Sequence, residues 1–140
     1  MFKRTTLLVF LFILPFQVWA SYDIENAYPE PELKPNDVVK LQLLAMQQND
    51  DSDFGIEVTF RFASPSNKIQ TGPLKRFIRL VRNPSYRPLL NHINATFLEL
   101  NIEEDFAVQD VIITTSNGER IGYRFRLSIE KGPLCPGCWM

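Results

Sequence analysis

Residues 53–65 read DFGIEVTFRFASP, and whether they form a strand or a helix decides the fold. Ile56, Val58, Phe60 and Phe62 alternate with Glu57, Thr59 and Arg61. Period-two alternation among β-branched and aromatic residues is the pattern of a half-buried strand. Taken alone, the stretch is a strand. Its neighbours are better defined. Upstream, in NDVVKLQLLAMQQND (36–50), Val38, Leu41, Ala45 and Gln48 share one helical face with Leu44 beside them, and Asn36 or Asp37 can cap the free N–H groups. Downstream, TGPLKRFIRLVRNP (71–84) is a short bounded helix. Thr71 or Gly72 caps it, Pro73 suits its first position, and Leu74, Phe77, Ile78 and Val81 form the apolar stripe. Asn83-Pro84 ends it, while Lys75, Arg79 and Arg82 share the opposite face with Arg76 at its side.

The remainder is β. In INATFLELNI (93–102), Thr96, Leu98, Leu100 and Ile102 alternate with Ala95, Phe97, Glu99 and Asn101. In FAVQDVIITTSNGERIGYRFRLSIE (106–130), Asn117-Gly118 is the favoured pair for a two-residue type I′ hairpin turn. That turn sets Thr115 opposite Arg120, Ile113 opposite Gly122 and Asp110 opposite Phe125. Asp110 and Tyr123 then share the apolar face, and Arg120, Arg124 and Arg126 share the other. Helices first and strands afterwards imply an α+β domain with its helices on one face of an antiparallel sheet.

The chain starts MFKRTTLLVFLFILPFQVWA, with Lys3 and Arg4 before an apolar core from Leu7 to Phe16 and a Val18-Trp19-Ala20 cleavage pattern. A spanning helix needs about 20 apolar residues. The shorter run reads as a cleaved signal peptide over residues 1–20, giving a secreted or periplasmic protein that begins at Ser21 and keeps no membrane span. Without Lys3 and Arg4, the 15 basic and 16 acidic groups become 13 and 16, a mildly acidic balance that excludes a general nucleic-acid binder. Residues 21–34, ending in the proline-rich YPEPELKP segment (28–35), read as an extended leader. Residues 35–140 suffice for a single domain with one core.

The segments FRFASPSNK (60–68), TGPLKRFIRLVRNPSYRPLLNH (71–92), VQDVIITTSNG (108–118) and the terminal CWM resemble the DUF4864 family, a domain of unknown function. The resemblance covers residues 35–140. The family is similar to the nuclear transport factor 2-like and SnoaL-like superfamily, in which three helices lie on a strongly bent sheet and enclose a cone-shaped pocket. It implies that residues 53–64 are a helix ended by Pro65, and that implication is adopted here over local propensity. The family pattern continues past CWM as a final strand, so the sheet is expected to lack part of its closing edge. It supplies no catalytic residues.

Candidate chemistry is sparse. Cys135 and Cys138 form a Cys-x-x-Cys pair, but thiol reactivity of that type depends on a helix starting at the motif, and only Trp139 and Met140 follow. A structural zinc site needs four ligands, and the one histidine, His92, does not complete a set. A local disulfide or two unpaired thiols remain, and no metal or cofactor is implied. From Arg61 to Arg87 there are seven basic residues and no acidic ones. Lys75, Arg76, Arg79 and Arg82 could dock an anionic partner, or form a solvated face offset by Glu103, Glu104 and Asp105. Asp110, if buried beside Tyr123, could act as a general base. Asn94-Ala95-Thr96 matches a glycosylation acceptor, which matters only in a eukaryotic host. The leading expectation is a non-catalytic domain that binds a small molecule or a protein. The alternatives are a cofactor-independent enzyme (an isomerase, dehydratase or cyclase) using Asp110 and Tyr123, and a thiol redox protein.

Overall fold

The computed structural model describes residues 23–140. The signal-peptide reading of residues 1–20 and the Ser21 start lie outside them. Four α-helices come first: α1 (Pro35–Gln47), α2 (Phe54–Arg61), α3 (Pro65–Thr71) and α4 (Leu74–Val81). A 3-10 turn (Arg87–Leu89) leads to β1 (Asn94–Glu103), β2 (Phe106–Thr114) and β3 (Arg120–Ser128), an antiparallel sheet in the order β1-β2-β3. The fold is α+β, with four helices where three were expected.

The deciding stretch is helical. Asn49 Oδ1 accepts a hydrogen bond from the Ile56 N–H at 3.1 Å, and so satisfies a backbone donor in the first turn of α2. Gly55 then lets α2 cross α1 closely, since a Cβ there would lie 2.0 Å from the Ala45 carbonyl oxygen. Ile56, Val58, Thr59 and Phe62 are buried, while Phe60 packs on Phe77 of α4 with ring centroids 5.0 Å apart. A helix buried on two sides needs apolar residues around most of its circumference. Compressed into eight residues, that demand mimics alternation.

Pro65 plays a different part from the one expected. It stops α2 from continuing but is itself the first residue of α3, where Ser64 caps the helix by accepting from the Asn67 N–H at 3.2 Å. Helix α1 is capped through Asp37, whose carboxylate accepts from the Lys34 N–H at 3.1 Å.

The hairpin register also differs. Thr115 and Glu119 close a three-residue loop, Ser116-Asn117-Gly118. The Gly118 N–H donates to Thr115 O at 2.9 Å, and Gly118 takes φ 84°. This is the type I turn with a glycine bulge rather than the two-residue I′ turn. Adding one loop residue shifts the pairing to Thr114 opposite Arg120, Ile113 opposite Ile121, Gln109 opposite Phe125 and Asp110 opposite Arg124. A one-residue shift exchanges the faces of one strand relative to the other. Asp110 and Tyr123 therefore lie on opposite sides of the sheet. The helix-covered inner face carries Ala107, Gln109, Val111 and Ile113 of β2, all buried, with Ile121, Tyr123, Phe125 and Leu127 of β3.

Strand β1 is interrupted by a bulge, because Phe97 pairs with Val111 but Leu100 with Gln109, leaving Leu98 and Glu99 opposite Asp110. The fully buried Gln109 answers it. Its Nε2 lies 3.0 Å from Leu98 O, 3.4 Å from Glu99 O and 3.0 Å from Asp110 O, and so serves the carbonyls around the bulge.

Both ends of the described segment lie against this body. Ile24 and Ala27 of the leader are buried in the core, and Arg61 donates to Glu25 O at 3.0 Å while its guanidinium covers the Tyr28 ring at 4.5 Å. At the other end Ser128 and Met140 exchange backbone hydrogen bonds of 2.9 and 3.0 Å, and Ile129 bridges to Trp139. These last residues line the end of β3, where an open edge was expected.

Candidate functional site

The concave side of the molecule is the space between the helices and the inner face of the sheet. It holds a pocket of about 300 Å³. Helix α1 contributes Gln42 and Met46, α2 and its C-cap contribute Thr59 and Phe62, and α4 contributes Phe77 and Leu80. Tyr123, Phe125 and Leu127 form the floor from β3, and Tyr86 and Met140 lie among the wall residues. Each arrives by a local cause. Phe62 comes inward because α2 is helical, and Tyr123 because of the three-residue hairpin loop. A pocket of this size sits at the lower end of small-molecule sites, which are mostly apolar with a few polar groups for orientation. The polar side chains on the helix side are amides and hydroxyls, Gln42, Thr59, Ser64, Asn67 and Thr71, while Arg124 and Arg126 of β3 also border the pocket.

Tyr123 donates its hydroxyl to Ser85 O at 2.8 Å, which fastens the loop after α4 to the sheet. Burial, with smaller contributions from Tyr86 and Glu119, pushes its pKa above the ordinary phenol value. Asp110 is on the other side. Arg124 Nε and Nη2 donate to its two carboxylate oxygens at 2.7 and 2.8 Å. That pairing holds its carboxyl below the usual range, with Arg126 adding a smaller coulombic effect. The expected buried general base is an exposed, bidentately paired carboxylate.

The other candidates are scattered. His92 is buried, and its Nδ1 lies 2.8 Å from Leu89 O; burial pulls its pKa below the usual value. It holds the turn before β1. Lys75, Arg76 and Arg79 are exposed on α4, with no ion-pair partner among the described residues. Arg82 pairs with Asp53 and so ties α4 to the start of α2. Asp105 pairs with Lys131 and not with the α4 cations. Cys135 and Cys138 are joined as a disulfide, with Cys138 fully buried and the Cys135 sulfur packed 3.4 Å from Pro29 O, so the tail lies against the leader. Asn94 is exposed at the start of β1. A wider, polar and open cleft of about 620 Å³ lies elsewhere, between Asp50, Arg82, Arg87, Asn91 and the Asn117 loop.

Gln42, Thr59, Phe62, Asn67 and Leu80 were not singled out from the sequence. Once α2 is taken as a helix, Thr59, Phe62 and Ala63 fall on one face at i, i+3 and i+4, and that spacing was the available signal.

Fold and site define a small α+β domain with a mostly apolar pocket between its helices and its sheet. The chain belongs to the family described as domain of unknown function DUF4864, whose model matches residues 30–133. No curated protein and no solved structure matches the chain.

Proposed function

We propose that this chain is an exported, non-catalytic domain that binds a small, largely apolar molecule in the pocket on the inner face of the sheet. The observation that carries this reading is the composition of the wall: among the described residues no Asp, Glu, His, Cys or Lys lines the pocket, and the two arginines that border it, Arg124 and Arg126, belong by register to the outer face of the sheet. Acid–base catalysis near neutral pH needs a group that exchanges protons there. Tyr123 is the remaining candidate, and its raised pKa and its bond to Ser85 O suit an anchoring role. The thiol alternative is disfavoured because Cys138 is buried. Helices over one face of an antiparallel sheet, with a pocket between, also suit the nuclear transport factor 2-like cone that the sequence motifs resemble.

The test uses the neutral, apolar fluorophore N-phenyl-naphthylamine. Saturable fluorescence enhancement with the intact protein, abolished by Ala63→Trp (which fills the pocket from the turn after α2) and retained in Asp110→Asn, is the expected result. Enhancement that survives Ala63→Trp in a folded protein would overturn the assignment of the pocket.

A further inference from the structure

The face of the sheet opposite the pocket is uncovered, and its side chains follow a pattern. Along β1 it carries the exposed Glu99 and Glu103, along β3 the exposed Arg124 and Arg126, and along β2 the apolar Phe106, Val108 and Ile112 between them. Phe106 is 65% exposed at one end of this face, and Leu98 of β1, farther along it opposite Asp110, is 50% exposed. Large side chains of this kind, gathered in the open, mark contact surfaces.

Acid on one flank, base on the other and an apolar strip between make this face complementary to itself. A two-fold axis parallel to the strands, lying between two stacked sheets, carries β1 of one copy over β3 of the other and β2 over β2. Glu99 and Glu103 then meet the Arg124 and Arg126 flank of the second copy, twice, while the apolar strips close on each other. We infer that this face docks a second copy of the chain, giving an isologous dimer by sheet stacking. The pocket side chains Tyr123, Phe125 and Leu127 of β3 face away from the second copy. Asp110 keeps its own Arg124 as partner, so the centre of the interface holds no lone carboxylate.

Pairing through the free edge of β1 is the competing geometry, and two features oppose it. The bulge at Leu98-Glu99 breaks the row of backbone donors and acceptors, and antiparallel self-pairing of β1 centred on Asn101 sets Glu99 of one copy against Glu103 of the other.

Sedimentation velocity on the full mature chain tests the inference. The wild type should sediment as a dimer at micromolar concentration. Arg126→Glu alone and Glu103→Arg alone should each halve the sedimenting mass while keeping the wild-type circular dichroism. An equimolar mixture of the two variants should recover the dimer, because both flank pairs are again of opposite sign. Should either variant unfold, Ile112→Cys supplies the readout, since no free cysteine exists among the described residues. A short bismaleimide should link that variant as a covalent dimer and leave Tyr86→Cys unlinked. A wild-type monomer at every concentration, a dimer indifferent to both charge reversals, or a mixture that stays monomeric would each overturn it.

Discussion

The two faces of the three-stranded sheet are built from adjacent residues of the same strands and have opposite chemistry. On β2, Ala107, Gln109, Val111 and Ile113 are at most 1% exposed, whereas Phe106, Val108, Asp110 and Ile112 between them reach solvent. The inner face is covered by α1 and borders the pocket; the outer face is open and charged along both flanks. Which face a residue joins depends on one extra residue in the hairpin loop. Had the loop held two residues, β3 would present Tyr123 beside Asp110, and the molecule would have an ionisable pair on one face. With three, it has a pocket without carboxylate side chains on one side and a paired carboxylate on the other.

The sharpest way to break this contrast is at neighbouring isoleucines. Ile113→Ala removes a fully buried side chain and should cost about 2–5 kcal/mol in chemical denaturation. Ile112→Ala, one position away on the outer face, should cost clearly less when measured at a dilution where copies do not associate. Equal losses would mean that the outer face is covered within one chain.

Gly55→Ala comes next, because the inner face is covered only if α1 and α2 cross closely. The added Cβ has no room beside Ala45 O, so the helices must separate, at a cost of about 1–3 kcal/mol. Gln109→Leu keeps the volume of an inner-face side chain and removes its donors. The carbonyls at the β1 bulge are then left short, and a loss of about 1–3 kcal/mol is expected, with faster amide exchange confined to β1 and β2.

The smallest effect belongs to the outer face and appears only in acid. Arg124 lowers the folded-state pKa of Asp110 below its unfolded value, so the pair contributes stability that is present above the unfolded pKa. That contribution is lost as the pH falls through the lowered folded value. Asp110→Asn should flatten the acid limb of a stability–pH curve and leave the neutral plateau almost unchanged, as expected for an exposed pair. A raised folded pKa would give the opposite slope and would mark Asp110 as buried.

The sequence made helices α1 and α4, the β-rich second half and the family legible, because each rests on a pattern with one physical solution. Three features had two. The period-two run from Ile56 to Phe62 suits a half-exposed strand and equally a short helix packed on both sides, and Gly55 against Ala45 decides between them only once the helices meet. Asn117-Gly118 serves a two-residue turn or, with Ser116, a three-residue loop, since Gly118 takes positive φ in either. Pro65 can end one helix or begin the next, and here a capped new helix follows at once. The pocket residues come from four helices and a strand, so no local window contains the site; only the correct face of α2 and the correct register of β3 bring Thr59, Phe62 and Tyr123 together.

The hairpin register is therefore the quantity to measure, by cross-strand nuclear Overhauser effects in the isotope-labelled protein. Backbone contacts that set Asp110 opposite Arg124 and Val111 opposite Tyr123, with Thr115 opposite Glu119 at the loop, are the result expected from this structure. Contacts that set Asp110 opposite Phe125 and Thr115 opposite Arg120 would return the carboxylate to the side of Tyr123, and would contradict both the carboxylate-free pocket and the binding function drawn from it.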